Sequence, residues 1–360
     1  MNNTEKEKMS EINTKVKEAL AKTDSKSEAG TWLASQSGVI TEIVMRYIAN
    51  PSMIEISDEA SDEVKALREE LRNNPVLVAE LMALKADKLF EYQSNYNNVL
   101  HRLADGVKLD TAKLADDDIA SALQEHTFAN GQTKVEQAIS TGKKVGVPML
   151  GIGGTGKGTI IKLSGPRVVN TTTRARRPGE EVGVDYHYVE GVDVEGNDTN
   201  GSGENKYLAQ GPFLADLIRP GRGRYGTTVA ATKEAFEHSN IAFIEQSPGE
   251  VLNIAKNAPE LLPELVLQPV CILPPGGGIL ELAARVIVRT YGDPTHKDPE
   301  VENRYSLNDS YLESTMGPGQ ITEVAETTLF ATNPELGIVY IVNDDLKKAV
   351  SQVKNLLGLD

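Results

Sequence analysis

Val145-Gly146-Val147-Pro148-Met149-Leu150 runs without a break into Gly151-Ile152-Gly153-Gly154-Thr155-Gly156-Lys157-Gly158-Thr159. A short apolar run that ends in a glycine cluster and continues as an amphipathic stretch reads as strand, tight turn and helix. Glycines let the backbone close around an anion, the amides of the turn and of the helix N-terminus point at it, and a lysine adds a point charge for outer phosphates. Gly151, Gly153, Gly154, Thr155, Gly156, Lys157, Gly158 and Thr159 are therefore expected to cradle the phosphates of a nucleotide. Loops of this pattern carry Ser or Thr directly after the lysine. Here that place holds Gly158, and the hydroxyl comes one residue later, at Thr159, which becomes the candidate contact to phosphate-bound Mg²⁺.

Downstream of Gly142, β-branched runs alternate with Gly/Pro turns and amphipathic stretches, the texture of an α/β domain. Candidate strands are Val145–Leu150, Val168–Thr172, Ile241–Ile244, Leu265–Leu273 and Ile338–Val342, and candidate helices are Gly158–Leu163, Val229–His238, Leu280–Arg289 and Asp345–Leu357. Upstream, apolar residues recur at helical spacing: Val64, Leu67 and Leu71, then Val78, Leu81, Met82, Leu89, Leu100 and Leu103, with Ser57 as an N-cap. Proline is confined there to Pro51 and Pro75, whereas the other fifteen prolines follow residue 142. That shift marks a domain boundary. The expected organisation is a disordered or frayed segment over 1–28, a helical domain over 29–141 and an α/β domain over 142–360.

A second cluster lies in Asn170-Thr171-Thr172-Thr173-Arg174-Ala175-Arg176-Arg177-Pro178-Gly179-Glu180, followed by Asp185-Tyr186-His187-Tyr188. Three arginines, a run of hydroxyls and two tyrosines in one short stretch suit a phosphate dianion, since guanidinium groups bind it bidentately and phenols complete its shell. This segment resembles the nucleoside-monophosphate-binding signature of the guanylate kinase family. Arg224-Tyr225-Gly226-Thr227-Thr228, Leu273-Pro274-Pro275 and Val342-Asn343-Asp344-Asp345-Leu346 are similar to further family motifs and occur in the family's order. The likeness covers residues 145–360.

The resemblance implies a parallel-sheet P-loop kinase fold with a substrate-binding lobe and a lid, ATP as phosphoryl donor with Mg²⁺, and GMP or dGMP as acceptor. It assigns Arg174, Arg177, Tyr186 and Tyr225 to the acceptor phosphate, Thr227 to guanine, Glu180 and Asn170 to the same loop, and Asn343 to the ATP side. Asn170 stands where the family usually has serine. Lys157, Arg289 and Arg304 take the catalytic places, the two arginines in the lid. The acid that reads the base is Asp216, with Ala215 as the competing match one residue earlier, or Glu245 in a stretch that departs from the family's pattern. Gly191 to Asn205 forms an insertion expected as a mobile loop. A kinase of altered base preference and a non-catalytic interaction module of the same fold remain as alternatives.

Composition sets the outer limits. A formal charge of −15 excludes bulk electrostatic attraction to nucleic acid. One cysteine, Cys271, excludes an internal disulfide and suits a reducing cytoplasm. A polar start and the lack of any long apolar window argue against a signal or membrane span. The five histidines show no metal-ligand spacing. Oligomerisation, if present, is expected through the helical region.

Overall fold

The computed structural model describes residues 3–21, 27–49, 66, 70, 74–176, 180–200, 202–219, 223–275, 278–290 and 308–359. Helices α1 (Asn3–Leu20), α2 (Glu28–Ser35), α3 (Ser37–Ala49), α4 (Pro75–Ala83), α5 (Ala86–Gly106) and α6 (Asp116–Ser140) precede strand β1 (Lys144–Leu150). After it come α7 (Lys157–Ser164), β2 (Thr171–Thr172), β3 (His187–Tyr188), β4 (Phe213–Arg219), β5 (Gly223–Thr228), α8 (Val229–Ala235), β6 (Ile241–Glu245) and α9 (Pro248–Leu261). The chain closes with β7 (Leu265–Leu267), β8 (Val270–Leu273), α10 (Gly278–Thr290), α11 (Asp309–Met316), α12 (Pro318–Ala325), β9 (Val339–Val342) and α13 (Leu346–Leu357).

The central sheet is parallel throughout, in the order β6-β1-β8-β9, with β7 also paired to β1. Continuous apolar runs are what such a sheet requires, because helices cover both of its faces. The predicted strand Leu265–Leu273 is interrupted at Gln268-Pro269, since proline has no amide to give the ladder. Successive residues alternate between faces. Val145, Val147, Met149, Ile241, Phe243, Val270, Ile272, Val339 and Ile341 meet α7 and α13, together with Val135 and Ala138 of α6. Their neighbours Ala242, Ile244, Cys271, Leu273, Tyr340 and Val342 belong to the other cluster, with α9, α10 and the helices of the N-terminal part. Cys271 lies fully buried there, and burial pushes its thiol up to about 12.

Packing therefore crosses the composition boundary at residue 142. α6 lies along β9, an outer strand of the sheet, whose outward amides would otherwise be unpaired. Gln124 Oε1 accepts from Val342 N (2.7 Å) and Thr127 Oγ1 accepts from Tyr340 N (3.2 Å). Further along, Lys134 donates to Leu267 O (2.6 Å) and to Leu336 O. Described residues on both sides of residue 142 join the same two apolar clusters, across the boundary expected from proline and glycine usage. The segment expected to be disordered or frayed contains α1, whose Ile12, Val16, Ala19 and Leu20 join that core. Val64, Leu67, Leu71 and the Ser57 cap lie outside the described residues. No described helix is long and apolar enough to cross a membrane.

A second sheet, in the order β3-β2-β5-β4, stands beyond β6. The predicted strand Val168–Thr172 is split between the two sheets: Arg167 bridges to Phe243 of β6, and only Thr171–Thr172 pair with β5. β4 and β5 carry no clear alternation and go unread in the sequence, as does α9, although its Ser247–Glu250 capping box is a start signal.

A chain beginning at residue 142 lacks the cover of both sheet faces and of β9. It should aggregate or unfold without a cooperative transition, as followed by circular dichroism during urea titration. A soluble fragment with a sharp transition would show that the shared core is dispensable.

Candidate functional site

The parallel strands all end on one edge of the sheet, and loops at that edge are where α/β folds bind ligands. β1 delivers the glycine loop there and α7 begins at Lys157. Positive φ at Gly151 (138°), Gly154 (85°) and Gly156 (90°) is the left-handed backbone that other residues resist. Close packing forbids side chains as well: a Cβ on Gly151 would run into Ile272 O, and one on Gly156 would sit 2.8 Å from Asn343 Nδ2. Thr155 is buried, and its hydroxyl donates to Ile152 O (2.8 Å), which commits its side chain to the loop itself. Lys157 Nζ folds back on the loop and donates to Gly151 O (2.6 Å) and Ile152 O (3.1 Å). Gly158 and Thr159 are exposed in the first turn of α7.

Asn343, just past β9, holds the loop from beneath: its Nδ2 donates to Thr155 O (2.7 Å). Arg285 of α10 donates to Asn343 O (2.6 Å) and is itself fixed by Glu281 (3.0 Å), a contact the sequence reading did not anticipate. Amides, one ammonium and the exposed Thr159 hydroxyl form a donor set that fits nucleotide phosphates with their Mg²⁺, which takes most of its ligands from phosphate oxygens and water. Among the described residues no group of three or more His, Cys, Asp or Glu is placed to hold a metal ion.

The arginine–tyrosine cluster occupies one face of the second sheet. Tyr225 is opposite Thr172, and Thr172 is opposite Tyr188, so these side chains share a face with Tyr186 and Thr227. Arg174 lies over the rings of Tyr186 (5.2 Å) and Tyr188 (5.8 Å), and Tyr186 meets Tyr225 edge-on at 6.1 Å. Glu180 grips Arg174 bidentately (2.8 and 3.0 Å) and accepts from Tyr188 OH (2.7 Å). Burial alone would lower the Arg174 pKa, but the paired carboxylate holds it above its ordinary value. Burial and the same carboxylate push Tyr188 up to about 12.

Asn170 and Thr227 join at the floor of this face. Thr227 donates to Asn170 Oδ1 (2.9 Å) and is hydrogen-bonded to Gln246, while Asn170 Nδ2 donates to Glu245 O (3.1 Å). That last bond ties the lobe to the carboxyl end of β6, the strand beside β1. The Glu245 carboxylate pairs with Arg167 (3.5 Å), which lies 5.8 Å over the Tyr186 ring. Sequence reading missed Arg167, since a lone arginine after Gly165-Pro166 carries no motif.

Asp216 is the correction. Its partners across the ladder are Asp216↔Gly226 and Ala215↔Thr227, so Ala215 shares the face of Thr227 and Asp216 points to the opposite side. There it binds Arg224 through two bonds, one of 2.8 Å, and Arg224 covers the Tyr207 ring at 4.7 Å. Arg224 also donates to Glu195 O (3.1 Å), so the pair anchors the insertion on the back of the lobe. The insertion, expected as a mobile loop, is laced by its own turns: Asp193 accepts from the amides of Glu195 and Asn197 (both 2.9 Å), and Lys206 binds Asp198 (2.9 Å). Arg177 and Arg304 lie outside the described residues, and of Arg289 only the backbone, in the last turn of α10, is described.

No family model matches the chain. It is 26% identical over 229 residues to the guanylate kinase of Schizosaccharomyces pombe, covering 62% of this chain and 94% of that protein. The crystal structure of guanylate kinase from Anaplasma phagocytophilum aligns with 60% of this chain and 85% of its own, at 16% identity and a TM-score of 0.36. The chain thus contains a guanylate-kinase-like segment.

Asp216→Ala should lower stability by about 1–3 kcal/mol, because the half-buried Arg224 loses its partner. Affinity for a nucleoside monophosphate should stay within about threefold. A large loss of that affinity at native stability, read by calorimetry, would return Asp216 to the front face.

Proposed function

We propose that the chain is a nucleoside monophosphate kinase that transfers the γ-phosphoryl group of ATP to GMP or dGMP, giving ADP and GDP or dGDP. The observation that carries this reading is the pairing of a lysine-bearing glycine loop at the end of β1 with an arginine–tyrosine face tied to the end of the adjacent β6. The distant likeness to guanylate kinase supports it.

In this mechanism the loop amides and Lys157 hold the ATP phosphates, the ammonium exchanging the carbonyls of Gly151 and Ile152 for phosphate oxygens. Arg174, already aimed by Glu180, grips the acceptor phosphate with Arg177, and the hydroxyls of Tyr186 and Tyr225 complete its shell. Thr159 would hold Mg²⁺ through the nucleotide phosphates, and the ion would neutralise charge on them. Arg289 and Arg304 would bring further positive charge to the transferring group and help to exclude water. An acceptor phosphate oxygen attacks the γ-phosphorus directly, so no protein nucleophile is needed, and alignment with charge neutralisation supplies the rate.

Base choice rests on Thr227, Asn170 and Glu245. Guanine offers N1–H and a 2-amino group as donors, which call for an acceptor in the pocket. With Ala215 at the position opposite Thr227 and Asp216 turned away, Glu245 is the remaining candidate acid, and this favours as second reading a kinase of broadened or altered base preference. An interaction module without catalysis is disfavoured by the retention of Lys157 and Arg174 together.

ADP release measured across the common NMPs and dNMPs tests the reading, and GMP or dGMP should give the highest rate. No ADP above background with any monophosphate at millimolar concentration would sink it. Lys157→Ala should remove most turnover while GMP binding persists. Arg174→Ala should first weaken the acceptor by about 2 kcal/mol, a factor of about 30, because a charge-assisted bond to a desolvated phosphate is lost. Equal loss of ATP and GMP affinity in both variants would show that the two sites are wrongly divided.

A further inference from the structure

The glycine loop is braced from the side by α10. Leu282 and Val286 lie beside Gly154, close enough that a Cβ there would touch both, at 3.6 and 3.5 Å. Arg285, one helical turn on from Glu281, reaches Asn343 O, and Asn343 Nδ2 reaches Thr155 O. α10 and the loop are thus joined by packing and by the Arg285–Asn343 bridge.

What fixes α10 comes from the N-terminal part of the chain. The first amides of a helix have no partner within it. Gln93 of α5 supplies one, its Oε1 accepting from Ile279 N at 3.0 Å. Gln93 is itself held, since its Nε2 donates to Asn97 Oδ1 (2.7 Å) and Asn97 Nδ2 donates to Asp116 Oδ2 (3.0 Å) at the start of α6. One turn along α5, the fully buried Tyr96 donates to Pro274 O (3.2 Å), in the turn between β8 and α10. Its ring also packs against the start of α10, where a Cβ on Gly278 would come within 2.8 Å of it. A line of hydrogen bonds and packing thus runs from Asp116 through Asn97, Gln93, α10 and Asn343 to the phosphate loop.

We propose that Gln93 and Tyr96 are positioning residues for the donor nucleotide, fixing α10 and through it the loop that receives the phosphates. The inference rests on the kinase reading only for the identity of that nucleotide. It gives residues upstream of 142 a part in the site, whereas the acceptor face has no such line to α5 among the described contacts.

Titration with the fluorescent analogue mant-ATP tests this on the full chain and does not require turnover. Gln93→Leu, which removes the acceptor but keeps the bulk, should weaken mant-ATP binding about tenfold and raise KM for ATP in step. KM for GMP should stay within about twofold. Gln93→Glu, which keeps an acceptor for Ile279 N, should restore binding to within about twofold. Tyr96→Phe deletes only a hydroxyl and provides the second variant, expected to weaken mant-ATP about threefold. Unchanged mant-ATP affinity in Gln93→Leu and Tyr96→Phe would overturn the proposal, as would equal loss of ATP and GMP affinity with a lowered Tm. A wild-type chain that binds mant-ATP but forms no ADP removes the kinase reading, and the variant titrations then still decide the role of Gln93 and Tyr96.

Discussion

A parallel sheet that is apolar on both faces has to be covered on both, and its outer strands have to find partners for the amides that face away from the sheet. In this chain the region after residue 142 does not supply all of that cover. α6 lies along β9 and meets its outward amides with Gln124 and Thr127, and its Val135 and Ala138 join the apolar cluster of one face. The helices before it join the other. The N-terminal part is therefore a structural half of the α/β layer system, and the glycine loop at the carboxyl edge of the sheet is linked to it through α10.

The glycine loop illustrates how tightly the edge is built. Its turn needs left-handed backbone at three positions, leaves no room for a Cβ at Gly151, Gly153 or Gly156, and is propped by Asn343 from below and by α10 from the side. The arginine–tyrosine face is organised differently, by charge and ring contacts. Glu180 holds one arginine in place, and an unbroken series of small polar contacts leads from Thr227 through Asn170 to the end of β6. Rigid support under the glycine loop and oriented charge on the arginine–tyrosine face are what the proposed phosphoryl transfer by alignment asks for.

Legibility in the sequence followed locality. The loop could be read because its glycines and lysine are contiguous, and the arginine–tyrosine cluster because its arginines, hydroxyls and tyrosines crowd one short stretch, Asn170 to Tyr188. Asp216 was misplaced by a single residue: the register shifts between Phe213 and Ala215, and a shift of one exchanges the faces of a strand. Nothing in Phe213-Leu214-Ala215-Asp216 announces such an irregularity. The packing across residue 142 was illegible for another reason. Proline and glycine report turns, which are local, whereas the cover of a sheet is a long-range matter between residues more than 150 positions apart, such as Gln124 with Val342 or Tyr96 with Pro274. Gln93 and Tyr96 owe their contacts to such distant partners, and Arg167 and Arg285 reach Glu245 and Asn343 across intervening elements that carry no motif.

Cys271 sits in the middle of this construction, on β8 between β1 and β9, with its thiol sealed from solvent and held in the protonated form. Thiolate is the reactive species, so oxidants and alkylating reagents find nothing to attack while the layers stay closed. The rate at which this one sulfur becomes modified is then a clock for the parting of helices from sheet. Because it counts openings of the layer shared by both halves of the chain, it registers loosening of the N-terminal helices and of the kinase-like part alike, without any added probe.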